Sequence, residues 1–450
     1  MVVEGKRLRS PRNQQAGILI LRKNLIMRTI TFLFLSILLL TGCSDKKFQT
    51  FTANVPLYMS WEELRSSFSV GEEQALVKPG KMVSMGEYLY INEYQSGIHV
   101  FDLSDPANIS QLSFISIPGN VDLAIRNNVL YADSYSDLLQ VDISDPSAPE
   151  LISREEDLLE YVIPAWDYDY PLADIDQEKG VITGYSIEKY TKEIHYHAPI
   201  WPVYYEYSLD AAMSSEAGGG SQGNSYGVGG SMARFLCYDD YLYVLESTYK
   251  LRSLNVSQPG EVQNEQEQYL WGNVETLFIA EDHLFVGTSQ GMHIMSLEEP
   301  SFPSKISTYQ HVSACDPVVV SGNRAYITLR AGNLCGGNQD LLEVVDLGNM
   351  HNPYRIASYS MTEPYGLGID GNTLFICEGE YGLKVFDASN DQDIKNQLLA
   401  DFSDIHAWDV IPAGGTLLLT GDDGFYLYDY SDLQNISILD SIPVLPNEIE

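Results

Sequence analysis

Residues 97–106 read GIHVFDLSDP, a phrase that alternates apolar and polar side chains from Ile98 to Leu103 and then ends in Ser-Asp-Pro. The alternation predicts a strand that is half buried against a neighbouring layer. The ending predicts a turn, because proline has no N–H to give to a sheet and aspartate closes turns on its own backbone. The phrase returns as LLQVDISDP at 138–146, LLEVVDL at 341–347 and GLKVFD at 382–387. Such repetition predicts a repeat architecture.

Each repeat also contains an apolar triplet that follows a two-residue turn signal. The triplet centres are separated by 41, 112, 42, 41, 49 and 43 residues, and a period of about 42 is typical of four-stranded propeller blades. Seven triplets predict an all-β, seven-bladed propeller, with six or eight blades as the alternatives if one unit is degenerate. The centres are Tyr90, Tyr131, Tyr243, Phe285, Tyr326, Phe375 and Leu418, and the turns begin at Gly86, Asn127, Asp239, Glu281, Gly322, Gly371 and Gly414.

The recurring phrases GIHVFD and LLQVDISDP resemble those of the LVIVD-repeat family of bacterial surface β-propellers. The resemblance covers roughly residues 76–445, within a predicted propeller domain of residues 76–446. It implies the propeller architecture and gives no information about a catalytic activity or a ligand.

The N-terminal region predicts that the protein is exported from the cytoplasm. Residues 27–42 combine a basic start, a short apolar run and small residues, as a secretory signal peptide does. The ending, LTGC at 40–43, resembles the bacterial lipobox, which implies that Cys43 carries acyl chains such as palmitate and anchors the chain to a membrane. An ordinary signal with an accidental cysteine is the alternative. Ser44 favours the outer membrane by resemblance to known sorting rules, with the protein facing the periplasm or the surface.

Three further segments flank the signal peptide and precede the propeller. Residues 1–26 lie before a second start at Met27 and are interpreted as an extension outside the native protein. Residues 43–55 are interpreted as a polar tether. Residues 56–75 predict a short helix that packs on the body, because Ser60 and Glu63 have the spacing of a capping box.

The charge balance excludes one class of partner. The 62 acidic residues against 26 basic ones give a formal net charge of −36. Such a surface repels phosphate backbones, so nucleic acid is excluded as a partner, although the same charge also serves simple solubility.

The gap of 112 residues contains one normal period and an insertion at about 160–231. Its first half is aromatic and acidic, and its second half has the glycine-rich composition of a flexible linker. By the phase of the repeats, the insertion joins the last strand of one blade to the first strand of the next, on the face that also carries the loops between second and third strands. Long loops on a rigid scaffold often bind ligands. The predicted ligand face comprises Trp166, Tyr168, His195, His197, Trp201, Arg330 and Trp408, with His406 beside the last of these.

The cysteines divide into two kinds. Cys315 and Cys335 fall at one end of the fifth unit, on the same predicted face. In an oxidising compartment this position predicts a disulfide that closes a loop of about twenty residues, with two independent thiols as the alternative. Cys237 and Cys377 lie within apolar strands and are interpreted as buried small residues.

Motifs for catalysis and metal binding are scarce in this sequence. No nucleophile elbow, phosphate-binding loop, dinucleotide fingerprint or zinc-protease helix is present, so we predict no cofactor. His195 and His197 lack an identifiable third metal ligand, and acidic loops such as 133–137 fit calcium only weakly. The recurrent aspartates at the ends of the phrases are interpreted as turn residues: Asp102, Asp142, Asp346, Asp387 and Asp429.

Three functions are compatible with these features. The preferred hypothesis is a non-enzymatic binding or scaffolding module, anchored to the membrane through Cys43, that takes a protein or glycan ligand on the insertion face. The second is a surface polysaccharide hydrolase or lyase that uses acidic residues such as Asp167 and Asp169 on that face. The third is a purely structural part of an envelope complex.

Overall fold

The computed structural model describes residues 47–194, 228–229, 234–310, 317–331 and 339–446. Seven four-stranded antiparallel blades follow one another in the chain, the first strands of consecutive blades contact each other, and the first strand of the first blade closes the ring by contacting the second strand of the last. The seven-bladed, all-β propeller predicted from the triplets is therefore confirmed. Within the described ranges, no helix is long and apolar enough to cross a membrane.

The first elements precede the ring, and the first two blades follow. Before the ring lie β1 (Lys47–Met59), α1 (Trp61–Ser66) and β2 (Ser69–Gly71). Blade 1 comprises β3 (Pro79–Met85), β4 (Tyr88–Glu93), β5 (Gly97–Asp102) and β6 (Ser110–Ser116), and blade 2 comprises β7 (Leu123–Arg126), β8 (Val129–Ser134), β9 (Asp137–Asp142) and β10 (Glu150–Glu155).

The insertion contributes a 3₁₀ turn and two strands before the third blade begins. These are the turn Gln177–Lys179, β11 (Val181–Ile194) and β12 (Val228–Gly229). Blade 3 comprises β13 (Phe235–Tyr238), β14 (Tyr241–Ser247), β15 (Lys250–Asn255) and β16 (Gln263–Tyr269), and blade 4 comprises β17 (Val274–Ala280), β18 (His283–Thr288), β19 (Gly291–Ser296) and β20 (Ser304–Gln310).

The last three blades complete the ring. Blade 5 comprises β21 (Val318–Ser321), β22 (Arg324–Leu329), β23 (Leu341–Asp346) and β24 (Tyr354–Ser360). Blade 6 comprises β25 (Leu367–Asp370), β26 (Thr373–Cys377), β27 (Leu383–Asp387), a 3₁₀ turn (Ile394–Asn396) and β28 (Leu398–Phe402). Blade 7 comprises β29 (Asp409–Ala413), β30 (Thr416–Thr420), β31 (Gly424–Asp429) and β32 (Ser437–Pro443).

Blade 1 carries one additional strand at each edge. β2 pairs with the outermost strand, β6, and β12 pairs with the innermost strand, β3, through Val228 opposite Ser84 and Gly229 opposite Val83. Since β3 is the innermost strand of its blade, Val228 and Gly229 lie on its edge that faces the centre of the ring.

The core forms between blades, as expected of sheets that cannot bury both faces alone. All seven triplet centres are buried, with Tyr90, Tyr243, Phe285 and Phe375 fully enclosed. The turn before each triplet has a positive φ, from 48° to 61° at its first residue, which is why Gly, Asn and Asp dominate there. Glu281 adopts the same conformation at φ 52°.

Glycine at the start of the recurring phrase has a steric cause. A Cβ on Gly97 or Gly291 would lie 2.0 Å from a carbonyl oxygen of the adjacent outer strand, and one on Gly382 would lie 1.8 Å from such an oxygen. Each phrase-ending aspartate in turn accepts the backbone N–H two residues later at 2.8 Å, which confirms the interpretation of these carboxylates as turn residues.

The third residue of the phrase is polar in every blade although the strand around it is buried. In blade 5, for example, Glu343 is fully buried, receives the Tyr309 hydroxyl at 2.6 Å and pairs with Arg355 at 2.5 Å. In blades 1, 3, 4 and 5 these side chains tie the third strand to other strands of its own or a neighbouring blade. The seven residues are His99, Gln140, Arg252, His293, Glu343, Lys384 and Tyr426.

The helix predicted within 56–75 forms at α1, and its capping box is present. The Ser60 hydroxyl accepts the Glu63 N–H at 3.3 Å, and the Glu63 carboxylate accepts the Ser60 N–H at 2.9 Å. Leu64 is fully buried, and Arg65 pairs with Asp137 at 3.3 Å. The ion pair therefore attaches α1 to the second blade.

Part of the segment interpreted as a tether is a strand, because β1 begins at Lys47 and contains strand-favouring residues such as Phe51, Thr52 and Val55. β1 pairs with β11 in a two-stranded sheet. Residues 47–53 and 187–194 belong to a compact unit of their own, and residues 54–186 belong with the propeller to a second unit.

Candidate functional site

One face of the propeller carries the loops between second and third strands together with the connections between blades. We call this the insertion face, because residues 156–180 enter it between blades 2 and 3. The loops at 94–96, 117–122 and 135–136 bring blades 1 and 2 to the same face.

A cavity of about 110 Å³ opens on the insertion face where blades 1, 2 and 3 meet. The first described part of the insertion forms one wall, and the loops of blades 1 and 2 form the others. The lining residues are Tyr94, Gln95, Gly119, Val121, Asp122, Asp133, Tyr135, Leu159, Glu160, Val162, Ile163, Pro164, Ala165, Arg234, Phe235, Val244, Leu245 and Glu246. This set combines apolar walls with a few polar groups, as small-molecule and side-chain binding pockets do.

A wider cleft of about 530 Å³ adjoins the cavity and shares Tyr94, Gln95 and Tyr135 with it. Its other walls come from the chain between α1 and β3, including Gln74 and Lys78. Glu93 closes its floor by accepting the backbone N–H groups of residues 77 and 78. The two openings together make an extended concave surface beside the central channel.

A buried ion pair lies at the base of the cavity. Lys81 on β3 donates to Asp122 at the entry to β7, and both residues are less than 5% exposed. Burial raises the pKa of the Asp122 carboxyl, whereas Lys81 and the nearby Arg234 oppose that rise. The two cations thus offset part of the cost of burying this carboxylate.

Asp133 is a second acidic group of the cavity, and its role is mainly to fix the loop. Its Oδ1 atom accepts the N–H groups of Val121 at 2.8 Å and Asp122 at 2.9 Å, and the side chain of Asn120 donates to it at 2.8 Å. Desolvation nevertheless raises the pKa of Asp133 to about 6. A carboxyl with such a pKa takes up and releases protons near neutral pH.

Tyr135 provides an aromatic wall held in an unusual conformation. Its φ is +58°, and a Cβ on Gly119 would lie 2.3 Å from its ring, so glycine is required opposite it. The ring also packs against Tyr161 of the insertion, with centroids 6.3 Å apart. Burial raises the pKa of Tyr135 to about 12, so its hydroxyl remains a hydrogen-bond donor.

The predicted ligand-face residues fall into separate groups. Trp166 packs against Tyr168 at 5.5 Å and Tyr185 at 6.4 Å within the insertion, and Tyr168 is 59% exposed. The Asp167 carboxylate accepts the Asp169 N–H at 2.9 Å in a local turn. These residues are not in the lining of the cavity.

A second group joins blades 5, 6 and 7. The Arg330 guanidinium lies 4.1 Å from the Tyr365 ring centroid and donates to its hydroxyl, and Tyr365 meets Trp408 edge to face at 4.3 Å. His406 packs on Trp408 at 4.6 Å, and the Trp408 indole N–H donates to Asp422. The structure therefore brings the predicted Arg330 and Trp408 together through a tyrosine that the sequence did not single out.

Several predicted residues lie outside the described residues: Cys43, His195, His197, Trp201, Cys315 and Cys335. Their anchoring, binding and disulfide roles stay predictions. Of the described cysteines, Cys377 is buried as predicted and Cys237 is half-buried, and burial raises the pKa of the Cys237 thiol to about 12. In the described part of the chain, no group of three or more His, Cys, Asp or Glu side chains is arranged to hold a metal ion.

Sequence reasoning missed the residues that build the cavity. Lys81 was a usable signal, since a lysine within an otherwise apolar innermost strand requires a buried partner. The loop at 133–137 was noticed only for its acidity.

A ring of four-stranded blades with a cavity on the insertion face defines the class of protein, a β-propeller with a candidate binding face. A family model described as LVIVD repeat matches residues 82–114 and 120–156, which span most of blades 1 and 2. The chain thus contains LVIVD repeats and forms a seven-bladed propeller, which confirms the resemblance predicted from its phrases.

Similar solved structures share little sequence with this chain. The computationally designed Ika8 protein is 8% identical with a TM-score of 0.48, over 84% of this chain and 93% of that one. BamB from Moraxella catarrhalis is 6% identical with a TM-score of 0.42, over 85% and 97%. Dihydro-heme d1 dehydrogenase NirN in complex with DHE is 12% identical with a TM-score of 0.44, over 84% and 67%. No curated protein matches the sequence.

Proposed function

We propose that this protein is a membrane-tethered, extracytoplasmic module that binds or scaffolds a protein or glycan ligand on its insertion face. The cavity between blades 1, 2 and 3 is the observation that carries the proposal. It is concave, is walled by the insertion and combines tyrosine rings with buried charged groups, which are the features of a site that orients a polar ligand.

Filling the cavity tests this assignment. Ala165 is half-buried in the cavity wall, so Ala165→Trp should reduce the space without disturbing a blade. The matched control is Ala107→Trp, which adds the same side chain at an exposed turn on the opposite face. Binding to components of a detergent-solubilised envelope extract should fall for Ala165→Trp and persist for Ala107→Trp. Equal binding by both variants would assign the ligand to another surface.

The anchor is part of the same proposal and rests on the LTGC sequence at 40–43. Acylation of Cys43 would place the wild-type protein in the detergent phase of a phase-partition experiment. Cys43→Ser should move it to the aqueous phase and abolish labelling by an alkyne analogue of palmitate. Unchanged partitioning of the variant would exclude a lipid anchor at this residue.

A hydrolase or lyase is the second candidate function, and the raised pKa of Asp133 is the observation that favours it. A carboxyl with a pKa of about 6 in a cavity is suited to general acid or base catalysis. Asp133→Asn keeps the Oδ1 acceptor and removes the titrating group. Polysaccharide turnover that disappears with this variant would support catalysis, whereas binding without turnover by wild type and variant alike supports the binding module.

A further inference from the structure

Three aromatic side chains stand exposed on the insertion face at blade 3, outside the cavity lining. Tyr249 is 50% exposed, Tyr269 is 65% exposed and Trp271 is 86% exposed, which is the highest value among the large hydrophobic side chains of the described residues. The Tyr249 and Tyr269 rings are nearly parallel, with an interplanar angle of 11° and centroids 6.2 Å apart. We call these three residues the blade-3 platform.

The backbone holds the platform in place. Tyr269 pairs with Lys250 across the β15–β16 ladder, and the next amide, that of Leu270, donates to the Tyr249 carbonyl at 2.8 Å. The Trp271 carbonyl accepts a hydrogen bond from the His293 imidazole at 2.7 Å. Aromatic rings on a fixed backbone lose little conformational entropy when they bind a ligand.

The surroundings of the platform are polar, and carboxylates outnumber the cations Lys250 and Arg252 there. The outer strand β16 reads QNEQEQY, and because side chains alternate along a strand, Glu265 and Glu267 lie on the same face as Tyr269. Glu267 pairs with Lys250 at 3.3 Å and with Arg252 at 3.0 Å, and Glu265 also pairs with Arg252. Hydrogen-bond acceptors thus line the platform without an uncompensated cationic patch.

We propose that the blade-3 platform binds a neutral polysaccharide by stacking sugar rings on the aromatic faces. The C–H face of a sugar ring is apolar and its hydroxyl groups are hydrogen-bond donors, so exposed aromatic rings beside glutamate side chains match both parts. Single-stranded nucleic acid also stacks on aromatic rings, but it needs a positively charged groove. The net charge of −36 opposes nucleic acid and polyanionic glycans alike.

A protein partner is the weaker alternative for this surface. The core of a protein interface is depleted of glutamate, whereas the strand that borders the platform contains two. The proposal rests on the proposed function only in treating the propeller as a binding module. It assigns a second surface, distinct from the cavity, and a ligand class for that surface.

Native gel electrophoresis of the full-length protein in gels that contain a neutral polysaccharide tests the proposal. The probes are soluble starch, xyloglucan, galactomannan and a β-1,3-glucan, with alginate as the polyanionic control. We expect at least one neutral probe to retard the wild type, and Trp271→Ala and Tyr269→Ala to weaken that retardation about tenfold, as truncation of an anchoring aromatic residue does. Tyr354→Ala, which removes a 56% exposed tyrosine from blade 5, should bind as the wild type does.

Several results of this experiment would overturn the proposal for the blade-3 platform. The absence of retardation by every neutral probe, retardation by alginate alone, or an equal loss in Tyr354→Ala would overturn the proposal. A protein ligand that requires Trp271, in the absence of any polysaccharide effect, would assign the surface to protein docking and overturn it as well. The cavity variant Ala165→Trp should still be retarded by the neutral polysaccharide. The two assignments can therefore fail independently, because the cavity is tested by Ala165→Trp and the platform by Trp271→Ala and Tyr269→Ala.

Discussion

Removing the lysine of the buried ion pair should destabilise the propeller measurably. Lys81 and Asp122 connect the innermost strand of blade 1 to the entry of blade 2, and both are buried. In Lys81→Met the carboxylate stays in the interior without its nearest cation. Breaking a buried pair from one side costs about 3–5 kcal/mol, because the remaining charge is neither solvated nor compensated.

The expected change in melting temperature follows from the size of the ring. Unfolding entropy is about 2.1 cal/mol/K per residue, which gives about 0.8 kcal/mol/K for residues 76–446. A loss of about 4 kcal/mol therefore lowers the melting temperature by about 5 °C. Arg234 also opposes the pKa rise of Asp122, so the lower part of that range is expected.

Thermal unfolding followed by circular dichroism measures the effect, with the double variant Lys81→Met/Asp122→Asn as its control. The double variant should recover most of the loss, since its asparagine keeps the acceptor for the Leu123 N–H and carries no charge. The deficit of the single variant should also shrink as the pH falls, because a protonated carboxyl needs no cation. Equal melting temperatures for wild type and Lys81→Met would refute the reasoning.

Three further comparisons test separate features of the fold. Gly382→Ala should lower the unfolding free energy by more than about 1 kcal/mol in a denaturant titration, whereas Gly86→Asn at an open turn should be close to neutral. Because the pKa of Asp133 is raised from 3.8 to about 6 in the folded protein, the stability that its protonated form contributes is lost as the pH rises through that window. The unfolding free energy of the wild type should therefore fall relative to that of Asp133→Asn between pH 3.8 and about 6. Parallel pH profiles of the two proteins would contradict this. Arg65→Met should speed hydrogen exchange of the backbone amides in α1. It should lower the unfolding free energy of the ring by only about 1 kcal/mol, because Asp137 keeps its ion pair with Arg154. Unchanged amide exchange would contradict the attachment of α1 through Arg65.

The ring could be predicted from the sequence because its determinants are local and repeated. Each triplet, each turn with a positive φ and each phrase-ending aspartate acts within its own hairpin, so spacing alone reveals it. The capping box of α1 was likewise predicted from four consecutive residues, Ser60 to Glu63.

The cavity could not be predicted because its residues meet only after the ring closes. Lys81 and Asp122 are 41 residues apart and belong to different blades. The repeat phase indicates which face a loop occupies, but not which side chains converge there. The blade-3 platform was overlooked for a different reason: Tyr269 ends a polar strand and Trp271 starts a turn, so neither fits an apolar pattern.

Every blade is built from four strands that are consecutive in the chain, blade 7 included. The first and last blades therefore meet through side-chain packing, in which Leu76 and Met82 lie against Leu418 and Phe425, and through the hydrogen bond from the Leu445 N–H to the Leu76 carbonyl at 2.8 Å. The ring is thus closed between blades 7 and 1 without a strand shared by the two blades. A circular permutant, in which the present ends are joined and new termini are opened at another blade boundary, should form a propeller of similar stability. Whole repeats can also be gained or lost in evolution without any strand changing its pairing partners.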